Sequence, residues 1–377
     1  MAEVIHATSR HPRSDIRVFH KYCVSLQKNM IVTSLLVCDD VESTVNQGVK
    51  VISIGLPMRF IPRTLYCNLM FAFVVFKAKP RLLHIHDPDL LPLAITVRLF
   101  GISSVYDIHE NYKGRHEDSS STWTFAKIIA FLFVWAAEML GVLLTNASIA
   151  ATESIKTSFP KSLQKKISTI HNYPLARECS KKNLPARNTI VYAGSISTKR
   201  GLGEMIDLMK CLPDTCKLFL AGRVADEESR RLLDSLSQFD NIEYLGELDR
   251  GDLMALYQRC DFGFCCLSPT NNYVSSIPTK LYEYLNNDVI PIVSDFQHWR
   301  KIFGDNGPLL FVKSFDAATI SPVMEEYCSD AIKLREYRKK CHEFLTVSRT
   351  WESEFSSFFL NYKKLMFPRQ IKKSDRV

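Results

Sequence analysis

Apolar and polar positions alternate in short blocks along the first half of the chain. Apolar runs begin at Val4-Ile5 and recur at 31–37 (IVTSLLV), 49–54 (VKVISI), 81–86 (RLLHIH), 103–111 (SSVYDIHEN) and 148–152 (SIAAT). Their length and β-branched content suit buried strands. Between them, about 15–28, 63–78, 89–100 and 123–144 carry apolar residues at helical spacing, with Leu65, Leu69, Phe73 and Phe76 among those of the second. Strands alternating with helices predict an α/β fold with a parallel, doubly wound sheet. The polar stretch from Pro174 to Asn188 carries two prolines and reads as a linker over 175–188. The alternation then restarts, with strands expected at 189–193, 216–221, 242–245, 261–266 and 289–293 and helices near 202–210, 226–237, 249–259 and 279–286. Long helical patterns follow at about 316–345 and 350–365. A chain of 377 residues exceeds one ordinary core. The division expected is a first domain over 1–174, a second over 189–347, and a last helix with a basic tail over 348–377.

In sheets of this kind ligands bind beyond the carboxyl ends of the strands. His6, His86, Asp87, His109 and Glu110 fall at such ends, and Asp15 is placed as an N-cap or first-turn acid. Residues 123–144 (WTFAKIIAFLFVWAAEMLGVLL) form an apolar stretch of another kind. Its uninterrupted part is shorter than the roughly 20 residues that span a bilayer, and Glu138 lies inside it. A buried or interface-seeking helix is expected there, with Trp123, Lys127 and Trp135 suited to a headgroup contact.

The stretch from Ile190 to Gly203, IVYAGSISTKRGLG, reads as a strand, a glycine turn at Gly194 and a helix opening after Lys199-Arg200-Gly201. A helix N-terminus offers free N–H groups and a positive dipole end to an anion, and an arginine fork can hold two phosphate oxygens at once. A solvated Lys-Arg pair at a loop explains the same residues. Around 268–285, Lys280 and Glu283 sit three apart on a helix that starts near Pro278. They suit a phosphate and the vicinal hydroxyls of a ribose, or a simple helical ion pair. Neither a P-loop nor a G-x-G-x-x-G turn occurs, which counts against ATP and NAD.

Composition narrows the picture further. Hydrophobic residues at 46% and charged residues at 23% mark a globular chain. The eleven cysteines show no C-x-x-C pair or zinc spacing, Cys265-Cys266 are expected to be buried, and a reducing cytoplasm fits. No apolar leader is seen at the N-terminus. Net charge is +8, much of it in the tail, where Lys372, Lys373 and Arg376 face only Asp375. That suits an anionic membrane surface or a phosphorylated ligand, or else a solvated tail. No nucleic-acid module accompanies the charge, so nucleic acid is not expected as a partner.

HIHDPDLLP at 84–92, VYDIHENY at 105–112, YAGSISTKRGL at 192–202 and SIPTKLYEYL at 276–285 occur in one order. With HP-x-x-DIRVFHK at 11–21 and the aromatic last helix, they cover nearly the whole chain. In this the chain resembles the family 4 retaining nucleotide-sugar glycosyltransferases. The resemblance implies the glycosyltransferase B fold: two Rossmann-like domains facing across a cleft, acceptor-side first and donor-side second, with the last helix crossing back to the first. It implies Arg200 and Lys280 as the catalytic cations on the donor diphosphate, with Gly194 at their turn and Glu283 on the ribose. His109 would face the sugar, Asp15 the acceptor and donor phosphate, and His86, Asp87 and Glu110 the acceptor side of the cleft. Ser275 departs from the pattern, standing where the family's Glu-x7-Glu motif has its first glutamate; backbone amides around Val274–Ile277 could still contact the donor. Also implied are no metal or cofactor, a nucleotide-diphosphate sugar as donor, and a glycan or lipid-linked acceptor. The setting implied is bacterial surface polysaccharide synthesis, with a cytoplasmic protein that touches the inner face of the membrane. A nucleotide-sugar epimerase of the same build, and a binding protein without catalysis, are the alternatives.

Overall fold

The computed structural model describes residues 3–109, 125–176, 188–270, 273–274, 276–346 and 349–367. The chain divides into two units, Met1–Asn172 with Trp351–Val377, and Tyr173–Thr350.

The first unit runs β1 (Val4–Thr8), α1 (Ile16–Cys23 as a π-helix, continued as an α-helix over Val24–Lys28), β2 (Thr33–Val37), β3 (Thr44–Asn46) and β4 (Val49–Ser53). It continues with α2 (Arg63–Ala78), β5 (Leu82–Ile85), α3 (Leu91–Leu99), β6 (Ser103–Ile108), α4 (Phe125–Leu144) and β7 (Ala147–Ala150). The short helices α5 (Glu153–Ser158) and α6 (Lys161–Gln164) then lead to β8 (Ile167–Thr169). The sheet order is β3-β4-β2-β1-β5-β6-β7-β8, parallel except for the β3–β4 hairpin. β1, β2 and β5 are buried throughout, as strands covered on both faces must be. Ile5, Ala7 and Leu83 pack with Phe71 and Val75 of α2, Leu91 and Val97 of α3 and Val142 of α4. Glu138 is buried because the Tyr106 hydroxyl donates to its carboxylate at 2.9 Å. No helix among the described residues is long and apolar enough to cross a membrane.

The buried row of α2 is Cys67, Phe71 and Val75, while Leu65, Leu69 and Phe73 are exposed. Both faces of this helix are apolar, so spacing alone does not select the inner one.

The second unit runs β9 (Thr189–Ala193), α7 (Leu202–Cys211), β10 (Lys217–Ala221), α8 (Glu227–Asp234), β11 (Ile242–Gly246), α9 (Arg250–Arg259) and β12 (Phe262–Cys265). Then follow α10 (Thr279–Asn286), β13 (Ile290–Ser294), α11 (Gln297–Phe303), β14 (Leu310–Val312), α12 (Ala317–Cys328) and α13 (Ala331–Thr346). Its sheet order is β11-β10-β9-β12-β13-β14, all parallel. The single helix expected over 316–345 is two. Asp330 breaks it, because its carboxylate accepts from the backbone N–H of Ile332 and Lys333 and starts a new helix.

The last helix, α14 (Trp351–Met366), belongs to the first unit. It lays Trp351, Phe355, Phe358 and Tyr362 on the sheet face opposite α2, α3 and α4. The Trp351 indole N–H donates to Ser25 Oγ at 2.8 Å, and Glu354 accepts from the His171 backbone N–H at 3.0 Å.

Candidate functional site

In the second sheet the strand order reverses between β9 and β12, and a crevice opens where crossovers leave in opposite directions. β9 ends there in the Gly194 turn. Gly194 has φ +130° and Gly222, which ends β10, has φ +141°. A methyl on Gly222 would lie 2.0 Å from the Gly194 carbonyl oxygen, so the two turns touch backbone to backbone. A methyl on Gly194 would lie 3.3 Å from Lys280 Nζ and 3.9 Å from Arg200 Nη1. Both cations therefore converge on one turn from separate elements, Arg200 from the 3-10 turn before α7 and Lys280 from the first turn of α10. Lys280 Nζ is buried with no hydrogen-bond partner and rests 3.7 Å from the centre of the Tyr192 ring. A helical ion pair with Glu283 is thereby ruled out; Glu283 instead accepts from the Tyr257 hydroxyl at 3.2 Å. α10 begins at Pro278 with no side-chain cap, which leaves its dipole end to whatever occupies the turn. An orphaned ammonium, a guanidinium and a helix start around one exposed glycine make an anion site.

The first sheet reverses between β1 and β5, and its polar residues behave differently. Asp107, on β6, is fully buried and takes both arms of Arg17, at 3.0 Å from Nε and 2.8 Å from Nη2. Burial works against the Asp107 charge, but Arg17 and His109 more than offset it and hold the carboxyl well below its ordinary range. His109 Nε2 lies 3.2 Å and His86 Nδ1 3.3 Å from the same Asp107 oxygen. His86 Nε2 meets His6 Nδ1 at 2.9 Å, and the Tyr362 hydroxyl stands 3.1 Å from His84 Nδ1. Burial keeps His6 and His84 neutral, far below the ordinary imidazole value, and pushes His109 down to about 3 against the pull of Asp107. His6, His84 and His86 offer nitrogens within 4.8 Å of one another, as do His86, Asp107 and His109 with a carboxylate oxygen. His6 and His86 already meet nitrogen to nitrogen at 2.9 Å, and Arg17 holds both Asp107 oxygens. Hydrogen bonds and ion pairs link these side chains into one network.

Residues 177–344 match the family of glycosyl transferases group 1. No curated protein matches the sequence significantly. Among solved structures, sucrose-phosphate synthase from Thermosynechococcus elongatus is similar over 97% of this chain and 99% of its own, with TM-score 0.73 and 15% identity. Anabaena HepE in complex with UDP and glucose is similar over 97% of this chain and 100% of its own, with TM-score 0.69 and 10% identity. The catalytic domain of starch synthase IV from Arabidopsis thaliana, bound to ADP and acarbose, is similar over 97% and 99%, with TM-score 0.67 and 11% identity. The chain has the glycosyltransferase B fold, and its residues 177–344 carry a glycosyl transferases group 1 domain.

Within this fold, the structure gathers Gly194, Arg200 and Lys280 at one turn and places Glu283 one helical turn beyond Lys280. His86 and His109 meet at Asp107. Asp15 caps α1 through the N–H groups of Arg17 and Val18; burial opposes its charge, yet the His11 and Val18 hydrogen bonds bring its carboxyl to about 2. Asp87 is turned to a structural task. It accepts from Thr8 Oγ1 at 2.6 Å and from the Ser9 N–H at 2.8 Å, and so fixes the loop after β1. Ser275 and Glu110 lie outside the described residues, as does most of the linker. Sequence reasoning passed over Arg17, Asp107 and His11. Arg17 and Asp107 lie inside motifs already singled out, DIRVFHK and VYDIHENY, but their pairing spans ninety residues and only the sheet brings it about.

Proposed function

We propose that this protein is a glycosyltransferase that moves a sugar from a nucleotide-diphosphate donor to a hydroxyl of a glycan or lipid-linked acceptor, keeping the anomeric configuration. The observation that carries the donor half is the buried Lys280 ammonium without a partner, aimed with Arg200 at the Gly194 turn. In such a transfer the bond from sugar C1 to phosphate oxygen breaks, and its electron pair leaves with the diphosphate. The acceptor oxygen bonds C1 on the same face, and its proton passes to the departing phosphate. Arg200, Lys280 and the start of α10 face the charge that develops, so this reading needs no metal. Glu283 is assigned the ribose and His109 the sugar. Similar structures contain UDP with glucose in one case and ADP in another, which supports a sugar nucleotide without choosing its base. The acceptor we favour is a growing glycan on a lipid carrier in bacterial surface polysaccharide synthesis, made at the inner face of the membrane. The family resemblance and the basic character of the chain support it.

A thermal-shift screen of UDP-, ADP- and GDP-sugars tests the donor half, because a ligand at 100 times its Kd adds about 2.7 kcal/mol to stability. The wild type should be stabilised by at least one of them and Arg200→Ala should not. With that donor and a lipid-linked acceptor, Arg200→Ala should lose about 10²–10³ in rate, as loss of one preorganised charge-stabilising group does. Wild-type turnover in Arg200→Ala, or no shift with any donor, would sink the proposal. A new sugar formed from donor alone would favour the epimerase, and binding without turnover the silent protein.

A further inference from the structure

α2, α3 and α4 lie side by side over one face of the first sheet, and their outer surface is not that of a water-facing layer. Leu65, Leu69 and Phe73 repeat every fourth residue along the outside of α2, with Phe73 67% exposed. Phe100, at the end of α3, is 70% exposed and meets Phe76 of α2 edge to face at 5.0 Å. Leu132 and Leu140 stand out from α4. The helices are joined at one end, where Arg98 donates to the Leu144 carbonyl and Lys166 to the Leu143 carbonyl at 2.5 Å. Leu65, Leu69, Phe73, Phe100, Leu132 and Leu140 thus leave apolar surface exposed on three neighbouring helices. Exposed apolar patches of this kind mark docking surfaces.

Among the described residues the exposed charges near the patch are mostly cations, with Asp89 beside Thr64 of α2 and Glu153 beside Lys156 as the nearby acids. Lys77, Lys79, Arg98, Lys161, Lys165 and Lys166 are exposed on its rim. Residues 56–79, 90–104 and 156–166 contain no Asp or Glu, and the acid of α4, Glu138, points inward to Tyr106. Apolar side chains bordered mainly by cations match an anionic lipid surface, where Leu and Phe enter the acyl boundary and Lys and Arg stay among the headgroups. We propose that the α2–α3–α4 face of the first unit is the surface by which the protein docks, without spanning, on an anionic membrane. This deepens the membrane part of the function proposed above. It also locates the contact on three helices instead of the basic tail.

The test is co-sedimentation of the full-length protein with vesicles of phosphatidylcholine alone and of phosphatidylcholine with one quarter phosphatidylglycerol, with no donor present. Binding should require the anionic lipid and weaken from 50 to 500 mM salt. Leu69→Ser with Phe73→Ser, both exposed and therefore tolerable to the fold, should lower the partition coefficient at least ten-fold. Lys165→Glu with Lys166→Glu should lower it about five-fold per charge removed or more. Neutralising Arg369, Lys372, Lys373 and Arg376 to Gln should leave most of it. Nucleotide-sugar thermal shifts in solution should be unchanged in the face variants, so docking and donor binding can fail separately. Binding lost with the tail and kept in the face variants would overturn the proposal. So would a dimer in light scattering that the same serine changes dissolve, since the patch would then belong to a second copy.

Discussion

Arg17 and Lys280 are both buried cations near a strand-order reversal, and they are held in opposite ways. Arg17 has both arms on the Asp107 carboxylate, a further bond to the Ile170 carbonyl at 3.0 Å, and the Tyr22 hydroxyl at 3.2 Å. Lys280 has an aromatic face and no hydrogen bond. Arg17 is therefore fully partnered within the first unit, whereas Lys280 gains a partner only with an anion beside it. A satisfied network fixes geometry, and an unsatisfied one stores affinity.

The largest expected effect sets the two cations against each other. Arg17→Met strands a buried carboxylate and should cost about 3–5 kcal/mol in urea unfolding. Lys280→Met removes a buried charge that has no ion-pair partner to strand, and should stay within about 1 kcal/mol of wild type without ligand. Equal losses in both would erase the distinction. A middle effect is expected at the turn. Gly194→Ala puts a side chain at φ +130°, which should cost about 1–3 kcal/mol. Its methyl, 3.3 Å from Lys280 Nζ, should also abolish the donor-induced thermal shift. Gly101→Ala, at φ +82° with open space around it, should carry only the backbone cost.

The dependence on pH is spread over several groups, and it should come from the first unit. His6, His84 and His109 are neutral in the fold and protonate near 6.5 when unfolded. Their contribution is present above pH 6.5 and is lost as pH falls, at about 1.4 kcal/mol per unit for each group until its folded value is reached. His11 has the opposite sign, since Asp15 and Asp87 raise it despite burial. Its contribution is full below 6.5 and fades at higher pH, so it adds no slope between 6.5 and 5. Asp15 and Asp107 lose theirs only below about pH 4. Urea midpoints at pH 7 and pH 5 should differ, and His84→Phe should flatten the difference. A flat profile in the wild type would remove the buried neutral histidines from the account.

The strand–helix alternation was readable because parallel strands buried on both faces leave plain apolar runs, as β9 and β12 do, whereas β1, expected to break at His6, continues to Thr8. The anion site was readable as residues, Gly194, Arg200 and Lys280, though not as a place, because what joins them is the reversal of strand order between β9 and β12. The short edge strands β3, β8 and β14 left too little pattern to see. The break at Asp330 was hidden inside a helical period that continues across it. Most of the first unit's network was illegible for a different reason. Its histidines look like any polar residue at a strand end until β1, β5 and β6 stand next to each other and a helix from the far end of the chain covers them.

That covering helix has a consequence for how the molecule is made. Tyr362 reaches His84 and Trp351 reaches Ser25, so the hydrophobic and imidazole row of the earliest-synthesised strands has no lid until the closing residues emerge from the ribosome. Tyr173–Thr350, by contrast, is one uninterrupted segment and can close its own core first. The beginning of this chain is thus the part that must wait for its end.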